Sequence, residues 1–256
     1  MANYVVNEAD SASHGSVQLV GNSSAVAVAA TPAAVSPPTL VAADLGLKAR
    51  NQPYIHPSWL AKALAGDRQC LSSLHTQANF SVPKADGDFD AEGYKIKHQG
   101  LLVQYAQELR SQGYTVYAED SNSFKVNAGR AVISGTPDIV AIRGEEVLIV
   151  DAKTGQPRSS DQAQVLLYML FVPVVKLHGI QQIPEGRLVY QDYSAVEVHS
   201  LAVTEEFKRR VRDLVTMMRS DELPPVTPSA KECRYCPVRH ICSHQVTTVA
   251  EASVDW

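Results

Sequence analysis

Asp138, Asp151, Lys153, Gln164 and Tyr168 are the polar residues of this sequence most readily brought into one reacting group. Asp151 and Lys153 end an otherwise apolar run, Glu146-Val-Leu-Ile-Val-Asp-Ala-Lys153. Side chains alternate along a strand with a period of two, so the acid and the amine project from one face, after Val147 and Ile149. Charged groups at the end of a buried strand are costly unless they meet water, a metal or a partner. Asp138 opens the preceding β-rich run, and Gly144-Glu145 reads as a hairpin turn that folds Asp138 back beside Asp151. Two close carboxylates repel unless a cation neutralises them. A hard divalent ion such as Mg2+ or Mn2+ accepts oxygen ligands and keeps water. Lys153 beside it can orient or deprotonate a water, or offset charge developing on a phosphate. Gln164 and Tyr168 are i and i+4 on one helix face, so their polar ends point together. His98, on the apolar face of its own helix, fits equally a nitrogen ligand and a core histidine.

A second constellation is made of thiols. The chain has 4 cysteines, Cys70, Cys233, Cys236 and Cys242, too few for a disulfide scaffold. Clustering of the last three points to a metal site in a reducing compartment, one ligand short of a tetrahedral set. Cys70 completes a four-thiolate site for zinc or an iron–sulfur cluster, whereas His240 or His244 completes a zinc site without it. Spacing alone leaves both open.

The elements that must position these groups are readable in part. Pro57-Ser58-Trp59 followed by Leu60, Ala63 and Leu64 predicts a short helix with Ser58 as cap, and Cys70 lies just beyond it. Residues 82–89 read as a loop. A helix over 91–112 places His98, Leu101, Leu102, Tyr105 and Leu109 on one face and ends at Gln112-Gly113. Tyr114–Glu119 predicts a strand, Ala131–Ser134 and Ile139–Ile142 further strand, and Glu146–Lys153 a strand covered on both faces, together a three-strand meander. Glu119, at a strand end, fits a structural role or support of a metal shell. Asp161–Val172 and Thr204–Ser220 predict helices, the second opened by Thr204 with Glu205 and Glu206 in its first turn. Val189–Val198 offers two short strands around a Tyr193-Ser194 turn.

Pro137-Asp138, Asp151-x-Lys153 and Gln164-x-x-x-Tyr168, in that order, resemble the PD-(D/E)XK nuclease superfamily. Asp151-Ala-Lys153-Thr-Gly155, the Gln-x-x-x-Tyr set and an upstream helical His98 resemble its RecB-like branch. That branch often carries a glycine four residues before its histidine, and Gly93 stands five before. The resemblance implies an α/β, restriction-endonuclease-like core: a central mixed β-sheet flanked by helices, with a cysteine-stapled C-terminal segment. It implies that Asp138 and Asp151 hold Mg2+ or Mn2+ with the Ala152 carbonyl and His98. Lys153 would serve the attacking water, and Gln164 and Tyr168 would position Lys153 or the substrate strand. A distant cysteine followed by Cys-x-x-Cys-x-x-x-x-x-Cys, with the lead-in Pro57-Ser58-Trp59-Leu60, resembles the iron–sulfur nucleases of the CRISPR-associated Cas-four family, the AddB nuclease domain and the Dna-two type. That likeness, over about residues 55 to 243, implies a 4Fe-4S cluster on Cys70, Cys233, Cys236 and Cys242 that closes both chain ends over the core. It implies single-stranded DNA as substrate, and protein partners in CRISPR adaptation or DNA repair.

Composition bounds the rest. The chain has 256 residues, 45% hydrophobic and 20% charged, with a formal net charge of −4. This suits one domain with appendages: a low-complexity tail over 1–50, a domain over 51–245 that the resemblance makes a nuclease with a four-cysteine staple, and a short tail over 246–256. An acidic total excludes a bulk basic field, so contact with nucleic acid must be local. Lys208, Arg209, Arg210, Arg212 and Arg219, followed by Lys231, Arg234 and Arg239, form one such cluster, but interleaved acids give it equally the pattern of a solvated helix face. Tyr235 is a candidate base-stacking surface. There is no apolar run of about 18 residues, no basic segment ahead of an apolar leader, and no Gly-x-x-x-x-Gly-Lys-[Ser/Thr] phosphate loop. The expected setting is cytoplasmic, with no membrane and no motor. Two other readings are a zinc-stapled nucleic-acid-binding module without catalysis, and a subunit that processes DNA only within a larger complex.

Overall fold

Helix and strand signals in this chain alternate, and the computed structural model assembles them into mixed sheets flanked by helices. It describes residues 47–83, 90–191 and 195–246, all within one compact unit spanning 37–256. Most of the expected N-terminal tail, most of the 82–89 loop, the Tyr193-Ser194 turn and nearly all of the C-terminal tail lie outside the described residues. The strands are β1 (Lys48–Ala49), β2 (Tyr54–Ile55), β3 (Phe80–Ser81), β4 (Thr115–Ala118), β5 (Phe124–Ala128), β6 (Ala131–Gly135), β7 (Ile139–Arg143), β8 (Glu146–Lys153), β9 (Glu185–Tyr190) and β10 (Val196–Val198). The helices are α1 (Pro57–Leu64), α2 (Leu71–Asn79), α3 (Ala91–Ser111), α4 (Ser159–Val174), α5 (Glu205–Met218) and α6 (Ala230–Arg234).

The main sheet has the order β10-β9-β8-β7-β4, with β8 and β9 parallel and the other neighbours antiparallel. Alternate residues of its central strands serve two cores. Ile139, Ala141, Leu148 and Val150 meet Leu102, Ala106 and Leu109 of α3. Val140, Ile149 and Leu188 belong to the larger core with α1, α4 and α5. A strand covered on both faces requires the unbroken apolar run seen in β8, whose middle five residues are buried. Asp151 is one of those five. Helix α4 comes close to β9 over Gly186, where a Cβ would lie 2.5 Å from Val165 and 2.6 Å from Met169. Among the described residues, no helix is long and apolar enough to cross a membrane.

Several expectations are corrected. The strands over 115–142 do not form a meander. Strand β4 pairs with β7, while β6 leaves the main sheet and joins β5 and β2 in a three-stranded sheet, parallel to β2. Strand β5 was not expected, because Lys125 and Asn127 interrupt its apolar residues, and the alternation marks a strand buried on one face only. Ser58 is not the cap of α1: His56 holds that position and Pro57 opens the first turn, where a missing N–H costs nothing. Helix α2 was also unexpected, and Cys70 is its N-cap residue. Its buried residues mix polar with apolar, Ser72, Ser73, His75 and Gln77 with Leu74 and Ala78, and local bonds hold part of the polar set: Ser73 Oγ donates to the Cys70 carbonyl at 2.8 Å, and Gln77 Nε2 to the Ser73 carbonyl at 3.0 Å. Only Leu71, Leu74 and Ala78 mark its apolar side, too short a period among polar residues to announce a helix. The last residues of the expected N-terminal tail pair as β1 with β3.

Candidate active site

The β7–β8 register pairs Ile139 with Val150, which sets Asp138 opposite Asp151 just past the end of the ladder. The Ala152 N–H donates to Asp138 Oδ2 at 2.8 Å and anchors that carboxylate. A residue's N–H and C=O leave a strand on the same side, so the Ala152 carbonyl also faces the space beyond β7. Asp151 is 2% exposed. Its Oδ1 accepts from Gln164 Nε2 at 3.3 Å. Lys153 Nζ lies 2.6 Å from Asp151 Oδ2, an ion pair by distance. The angle is poor for a hydrogen bond, and this buried oxygen has no well-formed donor.

Helix α4 supplies the roof. Its start is tied to β9 by Tyr190, whose hydroxyl donates to Asp161 Oδ2 at 2.9 Å. Gln164 then sits between three groups: Oε1 accepts from Lys153 Nζ at 3.3 Å, and Nε2 faces both Asp151 and the Tyr168 hydroxyl, the latter at 3.0 Å. The Tyr168 ring fits because β6 carries Gly135 below it, where a Cβ would lie 3.1 Å from Tyr168 Cε1 and 2.8 Å from Pro57 Cγ. From the opposite helix layer, His98 Nε2 comes within 3.4 Å of Asp138 Oδ2, with its ring stacked on Tyr94. His98 is thus beside the carboxylates, at the rim of the fold and outside the apolar face formed by Leu102, Ala106 and Leu109. The structure brings together all six side chains singled out in the sequence. Glu119 is elsewhere in role: it has φ 47° at the start of a short 3-10 turn, and its N–H donates to the Asp138 carbonyl at 3.0 Å, which steadies the backbone under the site.

Burial controls the titration here. It pushes the Asp151 carboxyl up to about 7, against the pull of Lys153 and with a further push from Asp138. Burial works most strongly against charge on Lys153, but Asp151, Asp138 and Asp161 together outweigh it and hold the ammonium above its ordinary value. The hydrogen bond from His98 to Asp138 raises the imidazole. Burial raises Tyr168, which stays a neutral phenol.

A buried carboxylate oxygen without a well-formed donor, beside a second carboxylate, is a donor set suited to a hard divalent cation. Asp138, Asp151 and the Ala152 carbonyl are the oxygens, and His98 the nitrogen, that fit such an ion. Among the described residues, however, no three His, Cys, Asp or Glu side chains stand closed up as a ready metal site. The Lys153 ammonium lies against Asp151 and supplies the countercharge.

The four cysteines line one cavity of about 40 Å3, with Arg68, Glu232, Val238 and Ile241 among its walls. Burial raises the Cys242 thiol, and Cys236, Cys70 and Cys233 add to it. His240 is exposed, and neither it nor His244 is among the residues of that wall. Docking of the two chain segments depends on a residue the sequence did not single out. Glu232 Oε1 accepts from the Gln69 N–H at 2.7 Å and the Cys70 N–H at 3.4 Å. Thr227 Oγ1 adds a bond to the Gln69 carbonyl at 3.1 Å. Ser229-x-x-Glu232 carried a capping-box signal, but such a pattern is local and says nothing of a partner far up the chain. Glu232→Ala should lower stability by about 1–3 kcal/mol, the usual cost of stranding donors from a charged acceptor, read as a lower denaturation midpoint at unchanged slope.

Helix α5 resolves toward a solvated face. Lys208 pairs with Glu205 at 2.8 Å, and Arg209 with Glu206 at 2.6 Å and Asp213 at 3.2 Å. Arg210 and Arg219 donate to the Leu64 and Ala128 carbonyls. Tyr235 is 72% exposed.

Comparison with known proteins gives one family. The model of the PD-(D/E)XK nuclease superfamily matches residues 53–243. No curated protein matches the chain. Among solved structures, the crystal structure of SSO0001 aligns at 16% identity and a TM-score of 0.42, covering 80% of this chain and 93% of that one.

Proposed function

The chain belongs to the PD-(D/E)XK nuclease superfamily, and from that premise we propose that it is a Mg2+- or Mn2+-dependent deoxyribonuclease that trims single-stranded DNA ends as an exonuclease. In this reading Cys70, Cys233, Cys236 and Cys242 hold a 4Fe-4S cluster, and the protein works in the RecB-like, Cas-four manner in CRISPR adaptation or in DNA repair and recombination. The observation that carries it is the contact set in which Gln164 touches Lys153, Asp151 and Tyr168 while Asp138 faces Asp151 across the strand end.

The reaction is hydrolysis of a phosphodiester: water oxygen bonds to phosphorus and gives up a proton, the bond from phosphorus to the leaving deoxyribose oxygen breaks, and that oxygen takes up a proton. Asp138, Asp151, the Ala152 carbonyl and His98 would hold a divalent ion, which when bound would supply Lewis acidity and lower the pKa of its water. Lys153, kept charged by the two acids, donates to the attacking water or to the phosphate oxygen on which charge develops. Gln164 fixes the amine by accepting from it and fixes Asp151 by donating to it. Tyr168, neutral at working pH, holds the Gln164 amide from behind.

Cleavage of a labelled single strand by anaerobically purified protein, with Mg2+ and with chelator, tests the reading, together with the visible spectrum and a metal analysis. Brown protein containing iron, with chelator-sensitive cleavage, is expected. Zinc in place of iron with no cleavage would favour a binding module. Cleavage only after adding cell extract would favour a subunit of a larger complex.

His98 has its own test. His98→Ala should weaken activation by Mn2+ roughly tenfold or more, the scale of removing one shell partner, with little change in melting temperature because the ring is at the rim. A variant destabilised by more than about 1 kcal/mol with full activity in its folded fraction would return His98 to the core.

A further inference from the structure

Beside the carboxylate site gather four cations, two of them exposed and, among the described residues, without an ion pair. Lys62 lies in the last turn of α1. Arg68 follows in the turn after that helix, its N–H donating to the Lys62 carbonyl at 3.0 Å. Arg158 is the N-cap residue of α4, the helix that carries Gln164 and Tyr168 and against which α1 packs. Lys153 ends β8. Lys62 registers the other three: crowding by protein lowers its pKa, and Arg68, Arg158 and Lys153 lower it further, with Asp67 pulling the other way. Arg68 leans on Glu232 at 3.9 Å and Lys153 on Asp151 at 2.6 Å. Among the described residues, Lys62 and Arg158 make no ion pair, and both are exposed.

The contrast with other basic side chains is informative. Arg130, Arg143, Arg187, Lys208 and Arg209 each lie against a carboxylate. Like charges brought together oppose folding, and exposed cations without an acid partner, here Lys62 and Arg158, attract polyanions. This cluster has a direction. It starts at Lys153, runs over α1 and the start of α4, and ends at Arg68 in the wall of the cysteine cavity.

We propose that Lys62, Arg158 and Arg68 form a phosphate track that leads the substrate strand from Lys153 toward the cysteine lobe. The inference deepens the nuclease reading and rests on it. The track grips the sugar–phosphate backbone, so it contributes affinity and register without sequence preference.

The test is binding of a short fluorescent single-stranded oligonucleotide to the full chain, purified anaerobically, in chelator so that nothing is cut. Lys62→Gln and Arg158→Gln should each weaken binding several-fold and flatten the plot of log affinity against log salt by about 0.7 per charge removed. The double change to Glu should weaken it roughly tenfold or more, with metal content and melting temperature as in the wild type. Arg209→Glu, which alters a residue already engaged by two acids, should bind as the wild type does. If the glutamates impair folding, the glutamine pair decides. Wild-type affinity and salt slope in the double glutamine variant, where the wild type binds and cuts, would remove the track alone. A wild type that neither binds nor cuts single strands would remove the nuclease reading and the track with it.

Discussion

Asp151→Ala should abolish divalent-ion-dependent cleavage, by about two to four orders of magnitude, while circular dichroism remains that of the folded protein. The size follows from losing several kcal/mol of transition-state stabilisation at about 1.4 kcal/mol per tenfold. Lys153→Ala should be as severe, since it removes the amine that faces the acids, and wild-type rates in either variant would sink the assignment. A second readout needs no catalysis. Burial holds Asp151 at about 7, above the ordinary carboxylate range. A carboxyl with a raised folded pKa makes the metal-free protein lose stability as pH climbs from about 4 to about 7, after which the loss is complete. A divalent ion binds the ionised folded site and restores stability by mass action. The rise in melting temperature on adding Mn2+ should therefore be larger at pH 8 than at pH 5, and should vanish in Asp151→Ala. An equal rise at both pH values, or one that persists in the variant, would place the ion elsewhere.

The same strand shows why this site was legible before any coordinates. Glu146 to Lys153 is one unbroken pattern, and its observed limits are those expected. Once it is a strand after a tight turn, the period of two fixes which residues share the face of Asp151, and the hairpin places Asp138. Gln164 and Tyr168 follow from helical spacing. Each step uses contacts between near neighbours in sequence. What was not legible depends on distant ones. Strand β6 leaves the sheet because Tyr54 and Ile55 of β2, far upstream, offer it a parallel partner. Helix α2 buries Ser72, Ser73 and His75 beside Leu74 and Ala78, and His75 Nε2 finds the Ser220 carbonyl at 2.9 Å across the fold, so polar residues mask its apolar period. Glu232 and Lys62 look like ordinary surface charges until the chain folds around them. Local pattern identifies the chemistry, and long-range docking decides which charges surround it.

Long-range docking is also what the cysteine variants probe. Cys70→Ser should give pale, iron-poor, aggregation-prone protein, and Cys236→Ser should do the same. The motive is their placement: Cys70 opens α2, the other three follow from α6 onward, and all four line one cavity. A cluster at that cavity would crosslink segments separated by most of the domain, where closing a loop constrains the unfolded chain most in theory. Its ligands meet only when Glu232 has captured the Gln69 and Cys70 N–H groups, so metal binding and docking become one equilibrium. Two consequences separate this from a loss of packing. The double variant should be no less stable than either single one, because each change alone already breaks the site. Glu232→Ala should also lose iron faster to a chelator than the wild type, although it removes no thiol. Full iron and native absorbance in Cys70→Ser would show that Cys70 is not a ligand, and zinc at one equivalent without iron, from iron-replete cells under anaerobic purification, would replace the cluster by a zinc staple.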